Sequence, residues 1–573
     1  MSKITNRRVS QIFYEIADML EIKGVRFKPR AYRRAAQAIE TLPEDIETIQ
    51  DRGELQKIPG VGASLASKIE EVLKTGSLSY LEELREELPE GLRELVEIEG
   101  VGPKTALKLH KKLKISNVDR LESAAREGEI RELEGFGRKS EDNILKSIQQ
   151  YRSAQKRFLL GQVAPIAEEI EERLRGLKVV EKISLAGSIR RRKETIGDLD
   201  ILVTSQHPLE VMEPFTELPE VKRVLAKGRT KSTVILINNL QVDLRVVESE
   251  SFGSALQYFT GSKEHNIRLR ELALEKNWKL SEYGLKDKNT KEKLAGETEK
   301  EIYEALGLDY IEPELRENRG EVEAALEGEL PDLIEYKEVK GDLHVHTKWS
   351  DGSYSIEEMA RAAQSLGYEY LAICDHSKTL QIAHGLTEKE IRGQMREIEK
   401  LNRRMEDLTL LCGVEANIDS EGKLDVEEDL LKDLDVVVAS VHSGFKQSEK
   451  EMTERVLTAM NNDYVKIIGH PTGRIINQRQ QYNIDLSSIF ETAYDLGVYM
   501  EINAFPNRLD LSDVNCFKAK DYGVKFSIAT DSHQKEHLRY MKLGVDNARR
   551  GWIEKSRVIN TLDLKELQKT LKN

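Results

Sequence analysis

After residue 340 the chain repeats one local pattern: a short, β-rich apolar run ending on a side chain able to bind a metal. "GDLHVHT" ends at His344 and His346, "LAICDHS" at His376, "LLCGVEANI" at Glu415, "VVVASVHSG" at His442, "VKIIGHP" at His470 and "FSIATDSH" at Asp531 and His533. "VYMEINAF" (498–505) is a seventh run, and helical patterns separate most of them. Strands alternating with helices form a parallel sheet, and closing that sheet gathers the C-terminal strand ends on one face. Seven runs therefore predict a barrel of seven strands. A lone buried histidine is more often a satisfied core residue than a ligand. A whole series at successive strand ends would need separate satisfaction at each one. Mixed imidazole and carboxylate donors suit Zn²⁺, Mn²⁺ or iron. His384 and His537 lie nearby and read as surface residues.

With 573 residues the chain is too long for a single hydrophobic core, so several domains are expected. No apolar run approaches the ~18 residues that span a bilayer. The start, "MSKITNRRVSQIFYEIADML", lacks the apolar core and cleavage site of a secretion signal. Three cysteines, Cys374, Cys412 and Cys516, are far apart and odd in number, as expected for reduced core thiols of a cytoplasmic protein. A net charge of −13 argues against a uniformly basic nucleic-acid binder, but phosphate contacts depend on the local field.

The middle of the chain carries "LAGSIRRRKETIGDLDILV" (185–203). Side chains two apart on a strand share a face, so Asp198 and Asp200 point the same way. Carboxylates held that close repel unless a cation lies between them, and hard oxygen ligands suit Mg²⁺ or Mn²⁺. "STVILINNLQVDLRVV" (232–247) reads as a hairpin turning near Asn238-Asn239, and its second strand carries a third acid, Asp243. Three such acids on neighbouring strands can hold two ions about 3.5–4 Å apart, the arrangement that activates a 3′-oxygen and stabilises a leaving pyrophosphate. Upstream, Gly187 and Ser188 open a short helix whose amides, with Arg190 and Arg191, can hold a triphosphate. An isolated Asp-x-Asp is usually a strand-end pair. Specificity comes from the full pattern Gly-Ser-x-Arg-Arg…Gly-Asp-x-Asp, with Gly197 directly before the first acid.

Near the N-terminus an apolar-x-Gly-apolar-Gly pattern recurs in "IPGVGASLASKIEEVL" (58–73), "IEGVGPKTALKLHKKL" (98–113) and "LEGFGRKSEDNILKSI" (133–148). The pairs Gly60/Gly62, Gly100/Gly102 and Gly135/Gly137 permit tight turns and leave the following helix N-terminus open to an anion. One such match is an ordinary helical corner; three in register indicate helix-hairpin-helix elements that grip nucleic-acid phosphates without reading sequence. The preceding "KGVRFKPRAYRRAAQAI" (23–39) is a basic helix, in which Tyr32 joins the expected DNA contacts.

These motifs carry resemblances. The Gly-Ser-x-Arg-Arg…Gly-Asp-x-Asp pattern is similar to the nucleotidyltransferase palm, and its Ser188-to-Asp198 gap matches family X DNA polymerases. "YFTGSKEHNIRLRELA" (258–273) and "LSEYGL" (280–285) resemble the thumb of that family. The resemblance implies that Tyr258 and Phe259 pack under the sugar, with Gly261 in the same turn. It also implies that Asn266 meets the base edge and Arg270 the template. Lys263 stands where polymerase beta has an acid, so affinity and fidelity do not carry over. The N-terminal segment resembles the family's lyase domain and places its Schiff-base lysine at Lys68. The order H-x-H…D…H…E…H…H…D-x-H resembles the polymerase-and-histidinol-phosphatase (PHP) family of trinuclear phosphoesterases. That likeness implies one metal on His344, His346, Glu415 and Asp531, and a second on Glu415, His442 and His470. It places a third on Asp351, His376 and His533.

The expected fold is multidomain: an α-helical helix-hairpin-helix region, an α+β nucleotidyltransferase palm and thumb, and a C-terminal α/β distorted (β/α)7 barrel. The boundaries read as a lyase-like domain (1–85), fingers (86–150), palm (151–250), thumb (251–316), an acidic connector with some helix (317–339) and a PHP domain (340–573). The implied function is gap-filling DNA repair synthesis with 3′→5′ exonuclease, and from the family abasic-site endonuclease or 3′-phosphate removal. Two Mg²⁺ or Mn²⁺ ions would serve the palm, and up to three Zn²⁺, Mn²⁺ or iron ions the barrel. The expected partners are gapped or nicked DNA and dNTPs, with no membrane, for a monomer. A competing reading makes the chain a metal-dependent phosphoesterase with a DNA-holding, polymerase-like platform.

Overall fold

A computed structural model describes residues 9 to 572, apart from scattered positions between 11 and 100 and residues 156, 381 and 382. The chain divides into two compact units, residues 1–157 and 158–573.

The first unit contains α1 (Lys28–Glu40), α2 (Ala63–Thr75), α3 (Pro103–Leu113), α4 (Val118–Arg126) and α5 (Arg138–Gln155). One apolar cluster joins Phe13, Ile39, Ile69 and Val72; another joins Val101, Leu109, Leu121 and Ile144. Gly60 and Gly135 have φ of +86° and +83°, where a side chain would be strained. Gly62, Gly102 and Gly137 come just before helices, and a Cβ added at any of them meets nothing within 4 Å. Packing inside the unit does not demand these second glycines, so their bareness faces outward. Gly100 lies outside the described residues.

The second unit begins with α6 (Leu160–Arg175), β1 (Lys182–Ala186), the four-residue α7 (Gly187–Arg190) and β2 (Asp198–Thr204). β3 (Val221–Lys227), β4 (Lys231–Leu236) and β5 (Gln241–Val247) follow. The sheet order is β1-β2-β5-β4-β3, with β5 parallel to β2 and antiparallel to β4. The predicted hairpin is β4–β5, and Asn239 takes the left-handed conformation at its turn (φ +70°). α8 (Phe252–Thr260), α9 (Lys263–Glu275), a small three-stranded sheet and α10 (Glu299–Leu306) come next.

The acidic stretch beyond them is packed rather than loose. α11 (Glu321–Glu327) places Val322 and Ala325 in one cluster with Leu269, Tyr303 and Trp552. Glu321 is fully buried, 2.7 Å from His265 Nδ1, and accepts the amides of Asn318 and Arg319. Composition alone makes this stretch look solvated, because the partners of its charges lie elsewhere in the chain.

The C-terminal sheet has seven parallel strands in sequence order: β6 (Gly341–Val345), β7 (Tyr370–Ile373), β8 (Thr409–Asn417), β9 (Val436–Ser440), β10 (Ile467–Ile468), β11 (Tyr499–Asn503) and β12 (Phe526–Ala529). The sheet curls until its edges meet. His346 N donates to Ser532 O at 2.8 Å, and buried Asp342 accepts the Thr530 amide and hydroxyl across the seam. This is the predicted seven-stranded barrel, one strand short of the common eight. α12 (Asp513–Lys520) and α13 (Met541–Arg550) lie on its outside. Leu509 and Leu543 of the barrel half enter the apolar core beneath β2 and β5. No helix among the described residues is long and apolar enough to cross a membrane. The three cysteines are free thiols.

Candidate active sites

All nine ligand-type side chains singled out in the barrel half converge at the C-terminal ends of its strands. Glu415 on β8, 1% exposed, is the hub. Its Oε2 lies 2.6 Å from His376 Nδ1, 3.6 Å from His344 Nε2 and 3.8 Å from His346 Nε2. Its Oε1 lies 3.0 Å from His470 Nε2 and 3.2 Å from His442 Nε2. Asp531 Oδ1 is 3.2 Å from His346 Nε2, and Asp351 Oδ1 is 3.3 Å from His533 Nε2.

Three sets of ligand atoms lie within 4.8 Å of one another: His346–Asp351–His376–His533, His344–His346–Asp531 and His376–Glu415–His442. Eight of the nine fall in these sets and His470 in none, and the grouping differs from expectation. Glu415 groups with His376 and His442, while His346 and His376 each serve two sets. An imidazole offers a nitrogen on each side, and the sequence cannot say which side meets which neighbour. His344 Nε2, both nitrogens of His346, Glu415 Oε2 and His470 Nδ1 are buried without a hydrogen-bond partner. Orphaned buried polar atoms cost about 1–3 kcal/mol each, so a shell of imidazole nitrogens and a carboxylate oxygen fits ions that take up their lone pairs. Burial raises the Glu415 carboxyl, but His442, His376 and His344 outweigh it and hold the group well below the ordinary range. Burial, with His533 and His376 alongside, drives His346 down to about 3, leaving the neutral imidazole that ligates.

Sequence reasoning missed Glu501 on β11. Its Oε1 is 2.7 Å from His344 Nδ1, and its Oε2 accepts the His470 amide at 2.6 Å. Asn503 Nδ2 joins Glu501 Oε2 to Asp531 Oδ2, at 3.1 Å each. A carboxylate on Nδ1 fixes the ring and presents Nε2 to the centre. The available signal was an acid inside the otherwise apolar run "VYMEINAF". His384 is exposed as expected; His537 is half-buried, stacked on Tyr540 at 5.1 Å.

In the five-stranded sheet, Asp200 on β2 stands opposite Asp243 on β5. Gly187 (φ +67°) turns tightly against them: a Cβ there would meet Asp200 Oδ2 at 2.8 Å. Asp200 is pushed up to about 6 by burial, then by Asp198 and Asp243. Asp243 Oδ2 receives Lys231 Nζ at 2.8 Å, a counter-ion the sequence reading overlooked. Asp198 is exposed at the start of β2. The three acids do not meet the 4.8 Å criterion that the barrel sets meet among the described residues.

Arg191, Tyr258, Phe259, Gly261, Asn266 and Arg270, all expected to meet a nucleotide or template, line one cavity of about 270 Å³. Ser188 and Gly197 are half-buried outside that lining. Arg190 departs from expectation. Its guanidinium is held bidentately by Glu299 at 2.9 and 2.6 Å and by Thr260 Oγ1 at 2.6 Å, in a brace shared with buried Arg316. Arg191 Nε donates to Glu317 at 3.0 Å. Asn266 accepts from Gln257 at 2.6 Å and donates to Tyr258 O at 2.7 Å, which fixes its amide at the edge of that cavity. Adjacent arginines look equivalent in sequence, but the acids that sort them come from more than a hundred residues downstream.

In the first unit, Lys68 is half-buried on α2 with Nζ 4.5 Å from the centre of the Tyr80 ring. Tyr32 is a correction: it is 5% exposed, edge-on to Phe13 at 5.4 Å. With Ala35, Ala36 and Ile39 it forms the i, i+3, i+4, i+7 stripe of α1 that faces the core.

Comparison with known proteins matches several segments of the chain. Residues 4–78 match a helix-hairpin-helix domain, 92–150 a SAM-like helix-hairpin-helix tandem, 255–317 the DNA polymerase beta thumb and 342–504 the PHP domain. The chain is 41% identical over 567 residues to the DNA polymerase/3′-5′ exonuclease PolX of Bacillus subtilis (strain 168), covering 98% of this chain and 99% of that one. A probable phosphatase of Thermoanaerobacter sp. (strain X514) is 33% identical over 242 residues, 40% of this chain and 94% of its own. With a relative matched from end to end, and with helix-hairpin-helix, thumb and PHP segments following one another along the chain, this chain belongs to the PolX family of polymerase/exonucleases.

Proposed function

We propose that this protein is a DNA-directed DNA polymerase with a 3′→5′ exonuclease in its barrel, and that it fills short gaps during repair. The observation that carries the polymerase reading is Asp200 facing Asp243 while Gly187 admits the turn beside them. Asp198, Asp200 and Asp243 are the carboxylates for two Mg²⁺ or Mn²⁺ ions. When bound, such ions supply charge neutralisation for the phosphoryl groups and lower the pKa of an oxygen nucleophile. The chain itself supplies placement. Ser188 and Arg191 hold phosphates, Tyr258 and Phe259 pack under the sugar, and Arg270 faces the template. Outward-facing glycines before α2, α3 and α5 let backbone amides approach DNA phosphates.

In the barrel, His344, His346, Asp351, His376, Glu415, His442, His470, Asp531 and His533 would hold up to three Zn²⁺, Mn²⁺ or iron ions. Glu501 orients His344 within that set. The shell suits phosphodiester hydrolysis at a 3′ end, and the same chemistry extends to abasic-site cleavage or 3′-phosphate removal. Lys68 is the candidate lyase nucleophile; borohydride trapping on a 5′-deoxyribose-phosphate end should disappear in Lys68→Ala.

The deciding experiment uses gapped DNA with Mn²⁺, with and without dNTPs. Asp198→Ala/Asp200→Ala should abolish extension and keep degradation; His344→Ala/His346→Ala should do the reverse. Undiminished extension by the first variant would leave the chain a phosphoesterase with a DNA-holding platform, a reading favoured by the phosphatase relative that the barrel half matches over most of its length.

A further inference from the structure

We propose that Arg550, on the barrel helix α13, is a positioning residue for the polymerase site: it neutralises Glu317 so that Arg191 can leave that carboxylate for an incoming nucleoside triphosphate. The inference rests on reading the cavity beside Arg191 as the triphosphate site.

Arg191 is held in two ways. Its side chain donates from Nε to Glu317 Oε1 at 3.0 Å and from Nη1 to the Thr260 carbonyl. Its own carbonyl accepts from Arg550 Nη1 at 2.5 Å. Arg550 also reaches Glu317 Oε1 at 3.2 Å, and Lys193 Nζ lies 3.7 Å from Glu317 Oε2. Arg550, 2% exposed, is fixed in turn by Asp513 Oδ2 on α12 at 2.7 Å. That oxygen receives Arg319 Nη2 at 2.8 Å as well. Arg191, Lys193, Arg319 and Arg550 thus set four positive charges against the two negative charges of Glu317 and Asp513.

Such an excess of positive charge at a largely buried site suits an added anion. If Arg191 were the sole partner of Glu317, turning it toward a phosphate would strand a half-buried carboxylate, which is strongly disfavoured. With Arg550 and Lys193 in place, Glu317 stays paired whichever way Arg191 points. The hydrogen bond from Arg550 to the Arg191 carbonyl keeps the main chain still while the side chain changes partner. The barrel therefore contributes to nucleotide affinity without lending any metal ligand, and the two halves are coupled through charge.

The test is steady-state primer extension on gapped DNA by the full-length protein, titrating dNTP. Arg550→Met should raise the dNTP KM about tenfold with kcat changed less than about threefold, because Glu317 then holds Arg191 more tightly. Its exonuclease activity, assayed without dNTP, should stay within about twofold of the parent, which certifies a folded barrel. Glu317→Gln added to Arg550→Met should return KM to within about threefold of the parent, since no carboxylate remains to compete. An unchanged KM in a nuclease-competent Arg550→Met overturns the proposal, and so does a double variant no better than the single. If Arg550→Met loses both activities, Glu317→Gln alone decides: a lowered KM supports the coupling, and an unchanged or raised KM ends it. Extension surviving in Asp198→Ala/Asp200→Ala would instead remove the triphosphate reading itself.

Discussion

Asp200 and Asp243 stand directly opposite each other on the parallel strands β2 and β5, so the ladder sets their spacing rather than the chain between them. Burial and two acidic neighbours push Asp200 up from its ordinary 3.8 to about 6. Between those values the folded protein keeps a proton that the unfolded chain releases. This favours folding at low pH and is lost as pH rises through about 6.

It follows that Asp200→Asn should stabilise the metal-stripped protein at pH 8 by roughly 1–2 kcal/mol and at pH 4.5 by only about a third of that. Calorimetry in the presence of chelator would check it. An equal shift at both pH values would count against the charge explanation, and Mg²⁺ should erase the advantage at pH 8.

Gly187→Ala combines a left-handed φ with a Cβ 2.8 Å from Asp200 Oδ2. Primer extension should fall at least about 100-fold, with a stability loss of about 1–3 kcal/mol. Exonuclease activity should persist. Extension at the parental rate would mean that the turn does not depend on the missing side chain.

Arg190 and Arg191 should separate cleanly. Arg190→Met breaks a buried brace that Arg316 still half-satisfies, so it should cost roughly 2–4 kcal/mol in denaturant unfolding and change dNTP KM little. Arg191→Met should raise dNTP KM about tenfold or more with a smaller stability loss. Paired unfolding curves and kinetics on both variants would show whether the roles divide this way.

Glu501→Gln keeps the shape of the barrel site but weakens the anchor on His344. Metal content after dialysis and nuclease rate should each drop about 10–100-fold, with polymerisation unaffected. Full metal retention, measured by mass spectrometry, would make Glu501 only a packing residue.

Much of this molecule could be read without coordinates. A ligand at the end of an apolar run, an Asp-x-Asp repeat of period two and a glycine-spaced turn are local statements. Local statements survive folding because strand and helix geometry decide which residues share a face. Hence His344 through His533 and the palm acids were identifiable in the linear chain. What the linear chain could not show is the choice among partners. Arg190 and Arg191 look alike until Glu299 and Glu317 arrive from far downstream. The orientation of the Asn266 amide is set by Gln257 and Tyr258, and Tyr32 looks like a DNA contact until α1 turns it inward. Glu501 reads as an odd acid in a strand until His344 lies 2.7 Å away. The sequence determined which chemistry is present and on which elements; the tertiary structure alone decided which charges neutralise each other. That division is physical, because secondary structure is set by neighbours in the chain, whereas pairing depends on whichever groups long-range packing brings within a few ångströms.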